Sequence, residues 1–170
     1  MNLFKKSIFL IAASIFSMNV IAQDIVDVAV SSKAHTTLVA AVKAADLVTT
    51  LKSKGPFTVF APTNDAFAKL PAGTVEGLLK PENKNALAGI LTYHVVAGNL
   101  DAKSVLAAIK KGGGKVTLTT VAGGKLTASI IDGKVVLTDE NGGKSTVTAT
   151  DLKGSNGIIH VIDAVVLPKS

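Results

Sequence analysis

The chain changes its hydrophobic period once, at Gly112-Gly113-Gly114, and that change limits what it can fold into. Before the glycines the apolar residues recur at helical spacing. Thr37 to Ala45 places Leu38, Val42 and Ala45 on one face, and Leu47 to Lys52 continues the pattern until Gly55-Pro56. Asp65 to Leu70 follows a cap at Thr63 or Asn64, and Thr74 to Leu79 lies between breakers. Pro81 opens a longer helix carrying Leu87, Ile90, Leu91 and His94. Asp101 caps another, with Val105, Leu106 and Ile109 inward and Gly112 as its stop. After the glycines the period is two. Val116 and Leu118 alternate with threonines, and so do Leu126, Ala128 and Ile130 with Thr127 and Ser129. Val135 to Thr138, Thr146 to Thr150, Ile158 to Ile162 and Ala164 to Leu167 complete the expected strands. Gly123-Gly124 and Asp132-Gly133 read as hairpin turns, the second of type I′. One strand, Phe57 to Phe60, sits inside the helical half. Helices first and hairpins later argue an α+β fold with a mainly antiparallel sheet in one domain.

The N-terminus does not belong to that fold. Lys5 and Lys6 precede a nearly continuous apolar run from Ser7 to Phe16, and Val20-Ile21-Ala22 ends on a small residue. This order describes a secretory signal peptide over residues 1–22. The run is shorter than the about 20 residues that a membrane helix needs, and no other segment is long and apolar enough, so no span is expected in the mature chain, residues 23–170. The expected destination is outside the cytoplasm, in the periplasm or the extracellular space.

The sequence has no cysteine, so an exported domain of this size must hold together by packing and hydrogen bonds. Its positive charge is all lysine. Without Lys5 and Lys6 the formal charge of +6 falls by two, and the remaining lysines are scattered apart from Lys110-Lys111. With no arginine, no tryptophan and one tyrosine, the chain lacks the bidentate and stacking groups of a nucleic-acid surface.

His35 precedes a helix and is expected to be exposed, whereas His94 and His160 lie among apolar neighbours. No two histidines have metal-ligand spacing, so the buried pair is expected to satisfy backbone groups. Ser155, His160 and Asp163 invite a hydrolase reading. Residues three apart in a strand face opposite ways, however, and Gly154-Ser155-Asn156-Gly157 lacks the spacing of a nucleophile elbow. Gly142-Gly143-Lys144-Ser145 resembles the end of a phosphate loop, but Thr138 stands where that motif needs glycine and no helix follows. Asp139-Glu140 reads as a solvated turn. The residues supply neither catalytic machinery nor a cofactor or metal pattern.

Three stretches together resemble the fasciclin domain family: Thr58 to Phe67 (TVFAPTNDAF), Leu91 to Val96 (LTYHVV) and Asn156 to Pro168 (NGIIHVIDAVVLP). The resemblance spans nearly all of residues 23–170. It implies a wedge of mainly antiparallel sheet with helices packed at one side. It also implies an exported, non-catalytic module for adhesion or interaction, binding an extracellular protein or polysaccharide. By the same resemblance the partner-binding positions are Tyr93, His94, Asp151 and Leu152, the last a leucine where relatives carry isoleucine. Pigment-binding members suggest the alternative of a carrier for a small apolar ligand such as a lipid or pigment, held in a groove between the first helices and the sheet.

Overall fold

A computed structural model describes residues 22–169; the expected signal peptide lies, up to residue 21, outside the described residues. The helices are α1 (Ile25–Ser31), α2 (Thr36–Ala44), α3 (Val48–Lys52), α4 (Asn64–Ala68), α5 (Thr74–Leu78), α6 (Lys84–Tyr93) and α7 (Ala102–Lys111). The strands are β1 (Phe57–Pro62), β2 (Val95–Ala97), β3 (Lys115–Thr119), β4 (Lys125–Ile131), β5 (Lys134–Thr138), β6 (Lys144–Gly154) and β7 (Gly157–Ile162). Their spatial order is β2-β1-β7-β6-β5-β4-β3. A bridge between Val96 and Thr120, with Val121 N–H donating to the Val95 carbonyl at 2.7 Å, draws the two ends together into a near-barrel.

Every strand pair but one is antiparallel. The exception is β1 with β7, in register from Phe57 opposite Gly157 to Pro62 opposite Ile162. Both faces of this central pair are covered, so its residues read as continuous apolar runs. On one face Val59, Ala61 and Ile159 pack under α1, α2 and α6 with Leu38, Val42 and Leu91. On the other, Phe60 and Ile162 enter the barrel interior with Tyr93, Ile109, Leu126, Leu137 and Val166, and α7 supplies the lid through Val105 and Ile109. Two cores thus share one two-strand spine. Burying each large side chain there contributes about 1.5–3 kcal/mol.

Side-chain caps set where the helices begin. Asp24 Oδ1 accepts from the N–H groups of Val26 and Asp27 at 2.9 Å, starting α1. Thr63 Oγ1 accepts from Ala66 N–H, and Asp101 Oδ1 from Ser104 N–H at 2.7 Å, starting α4 and α7. The asparagines of the two outer signature stretches act at longer range. Asn64 Oδ1 accepts from Thr37 N–H while its amide donates to the Lys33 carbonyl, which anchors the start of α2. Asn156 Oδ1 accepts from Ile25 N–H, and its amide donates to the Leu51 and Ser53 carbonyls. One side chain therefore joins the start of α1 to the end of α3.

Leu106, expected inward on α7, and Ile130, expected on the apolar face of β4, are both exposed. Four further expectations need correction. Ala164 to Leu167 is not a strand. It runs as an irregular strap whose Val166 is buried, with Val166 N–H donating to His94 and Leu167 N–H to Asp139. The helix expected from Pro81 begins as a 3₁₀ turn, Pro81–Asn83, and α6 starts at Lys84. His35 is buried rather than exposed, at 4 %. Asp139 is not a solvated turn residue. Its Oδ1 accepts from Asn141 and Gly143 N–H and its Oδ2 from Leu167 N–H, so the carboxylate ties the β5–β6 turn to the strap.

Candidate functional site

Asp151 and Leu152 lie on β6 where its pairing with β7 is irregular, with register shifts between Val147 and Ala149 and between Ala149 and Leu152. Such bulges re-aim side chains. Asp151 takes the left-handed conformation at φ 59°, which aspartate tolerates better than most residues. Its Oδ1 accepts from Ala102 N–H at 2.9 Å, reinforcing the start of α7 beside the Asp101 cap. Leu152 stands 40 % exposed. Together they present a carboxylate and an apolar side chain on an outward surface fixed from behind.

Tyr93 and His94 lie inside. Tyr93 is fully buried; its hydroxyl donates to the Lys125 carbonyl at 2.7 Å and accepts from Glu140 N–H at 3.2 Å. Burial raises its pKa above the ordinary phenol value. His94 terminates α6. Its Nδ1 donates to the Ile90 carbonyl at 2.8 Å and its Nε2 accepts from Val166 N–H at 3.2 Å. Burial lowers its pKa to about 4, so the ring is neutral at ordinary pH. The fold does not bring this pair to the surface that carries Asp151 and Leu152: both side chains are buried.

His160 lies opposite Phe60 in the β1–β7 register and stacks on it, ring centroids 5.7 Å apart. Its Nε2 donates to the Leu100 carbonyl at 2.6 Å, and its Nδ1 accepts from Asp151 N–H at 3.3 Å. The other parts of the hydrolase reading bond elsewhere: Asp163 Oδ1 accepts from Thr146 N–H, and Ser155 lies exposed in the β6–β7 turn. His35 Nδ1 meets Ser32 Oγ at 2.8 Å, while Nε2 has no hydrogen-bond partner. Burial lowers the His35 pKa, and the nearby Ala61 carbonyl, outside bonding geometry, opposes only part of that shift. Among the described residues no three His, Asp or Glu side chains converge as a metal site. No single helix among them is long and apolar enough to cross a membrane.

A cavity of about 170 Å³ opens between α1, α2, α3 and the β1 face of the sheet. Val26, Val42, Leu51, Val59, Leu91 and Ile159 are among its walls. Its lining is almost wholly hydrocarbon, with Lys43, Lys52 and Asp27 as its charged lining residues. The sequence suggested a groove here from the apolar helices. Nothing local marked Lys43, or the clamping roles of Asn156 and Asp139.

The architecture is thus a near-closed seven-stranded sheet flanked by short helices, with His94 and His160 bonded to backbone and an apolar cavity beneath the first helices. The chain belongs to the fasciclin domain family, whose model matches residues 33–168. It is 55 % identical to protein sll1483 of Synechocystis over 86 % of this chain and 74 % of that protein. It is 39 % identical to the immunogenic protein MPB70 of Mycobacterium bovis over 89 % of this chain and 73 % of that one. Its fold is similar to the domain pair of the insect cell adhesion molecule fasciclin I, with a TM-score of 0.60 at 20 % identity, covering 74 % of this chain and 42 % of that one.

Proposed function

We propose that this chain is an exported, non-catalytic interaction module that binds an extracellular protein or polysaccharide through the surface around Asp151 and Leu152. The observation that carries the reading is the construction of that surface. A left-handed aspartate and an exposed leucine sit on a bulged strand, held from behind by His160 and the start of α7. Rigid presentation lowers the ordering cost of binding, and apolar anchors beside polar groups are what interfaces use. Membership of the fasciclin domain family supports adhesion as the role. Cleavage after Ala22 belongs to the same proposal and is tested by N-terminal sequencing of the exported protein. For the surface, folded wild type and Leu152→Ser are used as bait against solubilised cell-envelope and matrix material. The expected result is a retained partner with wild type and its loss with Leu152→Ser. Equal retention by both baits removes Leu152 from the interface.

The apolar cavity favours a second reading, in which the module also carries a small apolar ligand. Mass spectrometry of organic extracts from natively purified protein tests it; an extract free of lipid and pigment counts against the reading.

A further inference from the structure

The cavity carries more information than its apolarity, because its rim is not electrically uniform. Lys52 Nζ is already engaged by Asp27 Oδ1 at 2.7 Å and Asp24 Oδ2 at 3.1 Å, so two carboxylates answer one ammonium. Lys43, exposed on α2, lines the same opening and has no carboxylate within ion-pair distance among the described residues. Val30, also lining the cavity, stands 53 % exposed although it is a large apolar side chain. At the inner end His94 contributes only carbon surface, since both of its nitrogens are bonded to backbone. The site therefore has a hydrocarbon interior, no free polar group inside, and one uncompensated positive charge at its mouth.

Size narrows the ligand. An apolar cavity of roughly 150 Å³ stays dry and accepts benzene. A cavity of about 170 Å³ thus accommodates one ring or a short alkyl segment, not a whole long-chain lipid. We infer that the α1–α2–α3 cavity binds a small anionic amphiphile, a monocarboxylic acid whose ring-sized or short alkyl end enters the cavity while its carboxylate meets Lys43. This rests on the carrier reading and adds to it the head-group chemistry and the size class.

The test is a titration of isotope-labelled protein with octanoate, octanol and phenylpropanoate, followed through its methyl resonances. The expected result is saturable shifts at Val26, Leu38 and Val42, with octanoate binding about three- to fivefold tighter than octanol, the gain that a solvent-exposed ion pair can supply. Lys43→Gln, an exposed change that leaves the fold intact, is expected to remove that difference. Phenylpropanoate separates an aryl acid from an alkyl acid as the source, since whichever acid gains more over octanol identifies it. Equal binding of octanoate and octanol to wild type overturns the head-group inference and leaves the carrier reading standing. Shifts by none of the three compounds, or shifts confined to residues outside the cavity, overturn both.

Discussion

The backbone N–H of Asp151 donates to Nδ1 of His160 over 3.3 Å, so an exposed surface residue is held by a side chain that is 2 % exposed. The geometry fixes the tautomer. Nδ1 must offer a lone pair to the N–H, and Nε2 must carry the proton that meets the Leu100 carbonyl at 2.6 Å. His160→Phe keeps the stack on Phe60 but leaves the Leu100 carbonyl and the Asp151 N–H without partners. The expected loss is about 2–3 kcal/mol, read as a lower urea midpoint with an unchanged slope. Asp151→Asn keeps an acceptor for Ala102 N–H and tolerates φ 59°, so it is expected to stay within about 0.5 kcal/mol of wild type. Asp151→Val, β-branched at a left-handed position, is expected to lose more than about 1 kcal/mol.

His94 makes stability depend on pH in a window set by its own shift. Its folded pKa, near 4, is below the ordinary 6.5 because burial disfavours the charged ring. Between those values the unfolded chain binds a proton that the folded chain does not, so the His94 contribution is complete above pH 6.5 and is lost as pH falls towards 4. The loss amounts to about 3 kcal/mol. His35, also lowered by burial, acts in the same direction. Urea unfolding from pH 7 to pH 4 should show this decline, with a shallower slope in His94→Gln. An identical slope in that variant would assign the dependence to other groups.

The signals that made the fold legible were local and chemically forced. The turn at Asp132-Gly133 needs two residues at positive φ, and these take 52° and 75°. Phe57 to Phe60 reads as a strand because its pairing with β7 buries both faces. What stayed hidden was non-local. Val95 to Ala97 follows α6 almost without a break, and three residues show no period. Ala164 to Leu167 has the apolar content of a strand, but the N–H groups of Ala164, Val166 and Leu167 are taken by Ser145, His94 and Asp139, distant side chains that no local pattern reveals. The candidate surface was half legible. Resemblance marked the four positions, while only packing separates buried Tyr93 and His94 from exposed Asp151 and Leu152.

Two glycines predict opposite outcomes for the same substitution. A Cβ on Gly157 would lie 2.1 Å from the Phe57 carbonyl oxygen, where β1 and β7 pair in parallel. Backbone cannot yield there without separating β1 from β7. Gly157→Ala is therefore expected to cost more than about 3 kcal/mol and to leave little soluble protein. Gly89 lies within α6, and a Cβ there meets nothing within 4 Å. Gly89→Ala is expected to stabilise by about 0.5–1 kcal/mol, because alanine loses less conformational freedom on entering a helix. Thermal melts of the two variants, run beside wild type, check both signs.

Tyr93 is the sole tyrosine of a chain without tryptophan, so its ultraviolet signal reports one interior place. Burial raises its pKa above the ordinary 10. Below pH 10 the folded and unfolded chains are both protonated at this group and its contribution is complete. Above pH 10 the unfolded chain releases the proton while the folded chain retains it, so stability falls as pH rises. Tyrosinate absorbance in native protein should therefore appear at higher pH than in urea-unfolded protein, and its onset should coincide with loss of far-ultraviolet circular dichroism. Tyr93→Phe removes the donor to the Lys125 carbonyl and the acceptor for Glu140 N–H. Its expected cost is about 1–3 kcal/mol at neutral pH. Titration of the wild-type tyrosine at its unfolded pKa, with the circular dichroism unchanged, would mean that this hydroxyl is open to solvent and that the Tyr93–Lys125–Glu140 contact does not hold the β3–β4 and β5–β6 turns together.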